Sequence, residues 1–316
     1  MRLLIPRAPA TTGSSLLGAV LVLGAGCAAR PAPSDASAQR QQLLRVLEHE
    51  MNSNTGWVRI HAADALIDHG CTQAVASSFA SEADTAAAPY RIGVWRVLAR
   101  AAASQEQQQA FTGRIHRAML DPQSPDRVHA AESLAKLGAA NPSDHQVLVE
   151  WLATASEAES VYPLWLLVLS GSNFGQTSSE ARLVQLLDSE DSTARLRAAF
   201  ALGRIKAIST VSIARLNHRL EVEPAGSPVR SYVAAALLRH TASTSASAAK
   251  LKQEVARCFV GGGPTEQLEC AIALGLCGTG ADLPLLARLM RSPQADARIG
   301  AASGSLYVMR RCPSTP

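Results

Sequence analysis

The sequence predicts an all-α fold: an α-solenoid of about eight helical hairpins wound into an α–α superhelix. Three observations carry that expectation. Of the 316 residues 47% are apolar but only 4% aromatic, so burial falls to Ala, Leu and Val, which favours helices over sheet. Apolar residues recur at three- and four-residue intervals, with no comparable alternating runs. One short pattern also returns along the chain at intervals of roughly 30 to 38 residues, which is a solenoid period.

Residues 1–26 read as an export signal of the lipoprotein type. Met1-Arg2 and Arg7 supply positive charge, and Leu16 to Leu23 form an apolar run too short for an ordinary membrane span. Small residues Gly24-Ala25-Gly26 then lead to Cys27. Leu23-Gly24-Ala25-Gly26-Cys27 resembles the bacterial lipobox, which implies that Cys27 becomes the lipidated first residue of an exported lipoprotein. Ala28 after the Cys implies the outer membrane, with the protein facing the periplasm and touching the membrane through its lipid anchor only. Residues 27–37, with Pro31, Pro33 and several small side chains, read as a flexible tether. Residues 38–311 are the solenoid, and 312–316 a short tail.

The repeated pattern is clearest in Trp57-Val58-Arg59-Ile60-His61-Ala62-Ala63-Asp64-Ala65-Leu66 and in Asp126 to Leu134. Related copies are Ala194 to Leu202 and Val229 to Leu237, with a looser one at Tyr90 to Leu98. Cys270 to Leu274 and Arg298 to Ala302 end the series. Each copy follows another amphipathic stretch and a break of Pro, Gly, Asp or Ser, as at Gln105 to Leu120 before Asp121-Pro122. A single hairpin cannot cover its own apolar stripe, so stacking on neighbours must do it. The fourth copy departs from the pattern. Val161 to Leu169 is apolar around the whole helix and lacks the repeated Arg, which predicts burial on all sides, followed by a long irregular join over 170–179.

The Val-Arg-x-x-Ala-Ala-x-Ala-Leu pattern resembles HEAT repeats, in the short form also found in phycobilin lyases. The resemblance implies second helices that line a concave side and a fold that serves mostly as a binding surface.

Arg59, Arg91, Arg127, Arg195, Arg230 and Arg298 hold one repeated place beside the small buried residues. The expected role of this row is structural, with each guanidinium bonding a neighbouring repeat's carboxylate or helix-end carbonyls. The solvent stripe lies two, five and nine positions after that Arg. It presents His61, Asp64 and Asp68, then Gly93, Arg96 and Arg100, then His129, Glu132 and Lys136. Further along come Arg197, Phe200 and Arg204, then Tyr232, Ala235 and Arg239. With Trp57 and Trp95, whose place in the first half of the chain favours a site there, the candidate partner-binding set is Trp57, His61, Asp64, Trp95, Arg96, Arg100, His129, Glu132, Lys136, Arg204 and Arg239. The expected ligand of an open concave groove is an unidentified protein or an anionic polymer. A net charge of +4 without aromatic–basic interleaving argues against nucleic acid.

No zinc, Walker, Gly-x-Ser-x-Gly or Gly-x-Gly-x-x-Gly motif is present, so no cofactor, metal or catalytic residue is expected. Deoxyhypusine hydroxylases, which share the HEAT fold, use several His-Glu dipeptides, whereas this chain has only His49-Glu50. Besides Cys27 the cysteines are Cys71, Cys258, Cys270, Cys277 and Cys312, and a Cys258–Cys270 link between adjacent helices is one option. The expected function is a non-catalytic scaffold or adaptor anchored at the bacterial cell envelope. The alternative is a lyase-like or enzyme-accessory protein holding a small ligand in the groove.

Overall fold

The computed structural model describes residues 33–311 except 175, 243 and 244, so the export signal, Cys27, Cys312 and the tail lie outside the described residues. The chain forms eight hairpins in which an outer helix precedes an inner one. The outer helices are α1 (Pro33–Ser53), α3 (Thr72–Phe79), α5 (Gln105–Leu120), α7 (His145–Leu152), α9 (Ser179–Gln185), α11 (Thr210–Val222), α13 (Ala246–Arg257) and α15 (Leu283–Leu289). The inner helices are α2 (Gly56–Asp68), α4 (Tyr90–Ala101), α6 (Arg127–Leu137), α8 (Glu157–Leu169), α10 (Ser192–Leu202), α12 (Pro228–Arg239), α14 (Pro264–Cys277) and α16 (Ala295–Arg311). Helix α1 begins inside the stretch read above as a tether.

Local chemistry sets the helix starts. Ser104, Ser156, Ser178, Ser209, Ser227 and Ser245 each accept a hydrogen bond from a backbone N–H in the following first turn. Pro228 and Pro264 occupy first turns, where a missing N–H costs nothing. Gly138, at φ +64°, ends α6 in the left-handed conformation that side chains disfavour. In α8 every residue from Val161 to Leu167 is buried.

The repeated arginines stitch one hairpin to the next. Arg59 bonds Glu82 and the Ser78 carbonyl, and Arg91 reaches Asp126 at 2.5 Å. Arg195 holds Glu223, and Arg230 holds Glu254. Both also donate to carbonyls at the end of the preceding outer helix or in the turn after it. Arg127 has no carboxylate and instead donates to the Met119 carbonyl while lying 4.1 Å from the Trp151 ring centre.

The last member of the row changes the picture of the whole fold. Arg298 of the final hairpin bonds both carboxylate oxygens of Glu50 in α1, at 2.6 and 3.0 Å, with Glu50 only 2% exposed. Helix α16 packs against both α1 and α2. Leu43, Leu47, Ile60 and Leu66 share one buried cluster with Ile299, Ala302 and Leu306. His61 Nδ1 meets Asp296 at 2.9 Å, and the Tyr307 hydroxyl donates to Asp68 at 2.5 Å. The solenoid therefore closes into a ring. An elongated spiral with a free inner wall does not form, because the eighth hairpin supplies the first with the interface that every other pair shares.

The tightest joint is α14 against α16. A Cβ on Gly275 would stand 2.3 Å from the Gly304 Cα, and one on Gly304 would stand 2.5 Å from the Ala271 carbonyl oxygen. Gly275→Ala is therefore expected to destabilise by about 1 to 3 kcal/mol through overpacking, despite alanine's better helix propensity. Chemical denaturation checks this, and an unchanged midpoint would contradict so close an approach.

Cys71, Cys258, Cys270 and Cys277 are free thiols, so the Cys258–Cys270 link is absent. No described helix is long and apolar enough to cross a membrane.

Candidate functional site: a closed central chamber

The eight inner helices surround a chamber of about 480 Å³. The volume lies within the range of small-molecule sites and is far too small for a folded partner. The periodicity that buries Ala62, Ala63 and Leu66 in α2 turns His61, Asp64 and Asp68 the opposite way, toward the ring centre. The same logic brings Arg96 and Arg100 from α4 and Glu132 and Lys136 from α6. Arg204, just past α10, and Arg239, ending α12, complete the set.

Three residues of the expected binding set are not in the chamber. Trp57 stacks on His129 with ring centres 5.1 Å apart and meets Tyr90 edge-on. Trp95 donates its indole N–H to the Ala83 carbonyl, with the guanidinium groups of Arg91 and Arg114 over its ring. These rings hold hairpin to hairpin. The basic row of Arg100, Lys136, Arg204 and Arg239 is likewise not free, because every member has a carboxylate partner.

The pairing runs both within and between inner helices. Arg96 bonds Asp64 at 2.8 Å and the Ser133 hydroxyl at 3.0 Å, linking α2, α4 and α6. Arg100 bonds Asp64 at 2.7 Å and also Asp68. Lys136 meets Glu132 at 2.7 Å along α6. Glu269 of α14 takes Arg204 at 2.6 and 2.9 Å and Arg239 at 3.0 Å. Altogether six cationic side chains (Arg96, Arg100, Lys136, Arg197, Arg204, Arg239) face four carboxylates (Asp64, Asp68, Glu132, Glu269).

These partners control ionisation. Burial works against the charge on Asp64, but Arg96 and Arg100 overcome it and hold the carboxyl well below the usual range. Burial is likewise overcome at Glu132 by Lys136 and Arg96, and at Glu269 by Arg204 and Arg239, bringing each down to about 2. Burial pushes the Tyr162, Tyr232 and Tyr307 hydroxyls up, so they stay protonated. Burial also lowers Lys136, with Arg96 and Arg204 adding to the effect against Glu132. It lowers Arg239 too, where Glu269 opposes it and Arg204 reinforces it. Cations are thus crowded in the chamber.

The opposite wall carries an apolar stripe among its charged groups. Leu196 and Phe200 of α10 face it, as do Leu268, Ile272 and Leu276 of α14. The α14 stripe was not anticipated, because the seventh copy lacks the Arg that marks register elsewhere. Its spacing of three or four residues is nonetheless an amphipathic signal. Tyr162, Thr193, Thr265, Ser303 and Tyr307 also line the chamber without having been singled out. Among the described residues, no group of three His, Cys, Asp or Glu could hold a metal ion.

No protein-family model and no curated protein matches the chain. Among solved structures, human deoxyhypusine hydroxylase in complex with glycerol is similar at 17% identity, over 88% of this chain and 100% of that one, with a TM-score of 0.40.

Proposed function

We propose that this protein is an exported, lipid-anchored HEAT-type ring that binds one small ligand in its central chamber without transforming it. The observation that carries the reading is closure: the concave wall is sealed on itself and leaves space on the scale of a small molecule. A folded protein would have to meet the rims or the outer helices, since the chamber is too small to admit it. The envelope address rests on the lipobox-like stretch at Cys27, which the described residues do not include.

The state of several chamber groups supports a binding role. Its perturbed carboxylates are locked ionised and its tyrosines locked protonated, so none of these is poised to exchange a proton near neutral pH. His61 has its Nδ1 on Asp296, a geometry that orients an imidazole. It has no hydrogen-bonded Ser, Thr or Cys to activate among the described residues, whereas the chamber's Ser303 hydroxyl meets His69 Nε2 at 3.1 Å.

Native mass spectrometry tests this reading. The protein isolated from its host membranes is expected to carry a 1:1 small-molecule adduct released on denaturation. The variant Thr193→Trp/Thr265→Trp places two indoles at exposed lining positions and should lose the adduct while keeping its helical circular dichroism. A wild-type protein without an adduct that binds nothing from a small-molecule panel would refute the reading. An adduct retained by the blocked variant would do so equally.

A further inference from the structure

Building on the small-ligand reading, we infer that the ligand is an amphipathic organic anion: a carboxylate headgroup on an apolar body. The chamber's two halves differ in a way that fits such a molecule and little else.

The charged half, on α2, α4 and α6, is balanced in charge, although Arg96 Nε there is buried with no partner among the described residues. Asp64 and Asp68 are matched by Arg96 and Arg100, and Glu132 by Lys136. The surplus of positive charge lies on the other side. Glu269 is shared between Arg204 and Arg239, leaving one guanidinium charge over. Among the described residues Arg197 has no carboxylate partner; it donates to the Ala158 carbonyl and lies 5.4 Å from the Tyr162 ring centre, and four of its five donor hydrogens have no protein acceptor there. Arg239 uses one nitrogen on Glu269, while its Nε is buried with no partner. Buried guanidinium N–H groups without acceptors are costly, and a carboxylate fits a guanidinium through two parallel hydrogen bonds.

Those donors border the apolar wall. Arg204 lies 3.5 Å over the Phe200 ring centre, and Leu196, Leu268, Ile272 and Leu276 extend the surface along α10 and α14. Inorganic phosphate would satisfy the guanidiniums but leave that wall wet. A neutral apolar molecule would cover the wall but leave the surplus charge uncompensated. An alkyl or aryl carboxylate does both, with its headgroup at Arg197 and its body against Phe200 and the α14 stripe.

Isothermal titration of the delipidated full ring tests the assignment, with octanoate and 3-phenylpropanoate as probes against octan-1-ol and inorganic phosphate. At least one carboxylate should bind 1:1, at least tenfold tighter than the alcohol, with no saturable phosphate binding. Arg197→Gln, which breaks no ion pair, should weaken that carboxylate fivefold or more while lowering the melting temperature of the free protein by no more than a few degrees for the lost Ala158 contact. The Thr193→Trp/Thr265→Trp variant should not bind it. Equal affinity for alcohol and carboxylate, tighter phosphate binding, or indifference to Arg197→Gln would overturn the anion assignment. In those cases a chamber-dependent ligand of another class would leave the small-ligand reading standing. Absence of any chamber-dependent binder across neutral, cationic and anionic probes would remove both.

Discussion

Replacing Glu269 with Gln is expected to lower the melting temperature by about 10 °C. Glu269 is 6% exposed and is the shared counter-charge of Arg204 and Arg239. Removing it leaves two guanidiniums in a low-dielectric space with no carboxylate, a defect that typically costs about 3 to 5 kcal/mol. The depressed carboxyl, at about 2 against an ordinary 4.5, gives a similar figure of about 3 kcal/mol. Because its folded value lies below its unfolded one, this contribution is complete above about pH 4.5 and lost as pH falls toward 2. Wild type and Glu269→Gln should therefore converge in stability over that window, and thermal scans across it supply the check. A deficit as large at pH 2.5 as at pH 7 would mean that shape, and not charge, is at stake. A triple variant in which Arg204, Arg239 and Glu269 all become apolar should recover much of the loss.

Charge reversal at the seam is expected to open the ring. Glu50→Lys sets an ammonium against Arg298 in a buried position, with a cost of about 3 kcal/mol or more. Small-angle scattering should show a larger radius of gyration, and hydrogen exchange should rise in α1, α2 and α16 ahead of the other helices. The swap Glu50→Arg with Arg298→Glu should restore both. An unchanged radius with unchanged exchange would show that the apolar contacts among Leu43, Leu47, Ile299 and Leu306 hold the seam alone. Acid should act at the same place. Burial lowers His69 to about 4, against Asp68, which raises it, and Arg310 and Arg40, which lower it further; the ring packs on Tyr307 and bonds Ser303. A base with a depressed folded pKa contributes stability above its unfolded value near 6.5 that is lost as pH falls toward 4. The seam should loosen in that interval by on the order of 1 to 2 kcal/mol, once the partial exposure of His69 is allowed for.

Much of the fold was legible because a repeat states its rule many times. The hairpin count, the burial of Val161 to Leu167 and the inward stripe of His61, Asp64 and Asp68 all follow from three- and four-residue spacing. Closure was not legible in that way, since curvature depends on a small rotation at each joint that accumulates around the stack. One hint was present. Arg298 keeps the repeated place in the final hairpin, where no later repeat could supply its carboxylate, and Glu50 in α1 fills that part. The charges along the stripe were visible, but their mutual cancellation required knowing that α2 lies beside α4. Trp57 and Trp95, singled out for their place in the first half of the chain, lie outside the chamber because their rings pack between hairpins.

A chain whose first and last units meet has no frayed ends. In a linear stack the outermost units have one neighbour each and can peel away separately, whereas here every hairpin is held from two sides. Losing any one breaks two joints, so melting should proceed as a single concerted event with equal calorimetric and van't Hoff enthalpies. For the same reason the polypeptide should tolerate new termini. Joining the start of α1 to the end of α16 and cutting instead in the exposed turn at Val260-Gly261 would leave all eight joints intact.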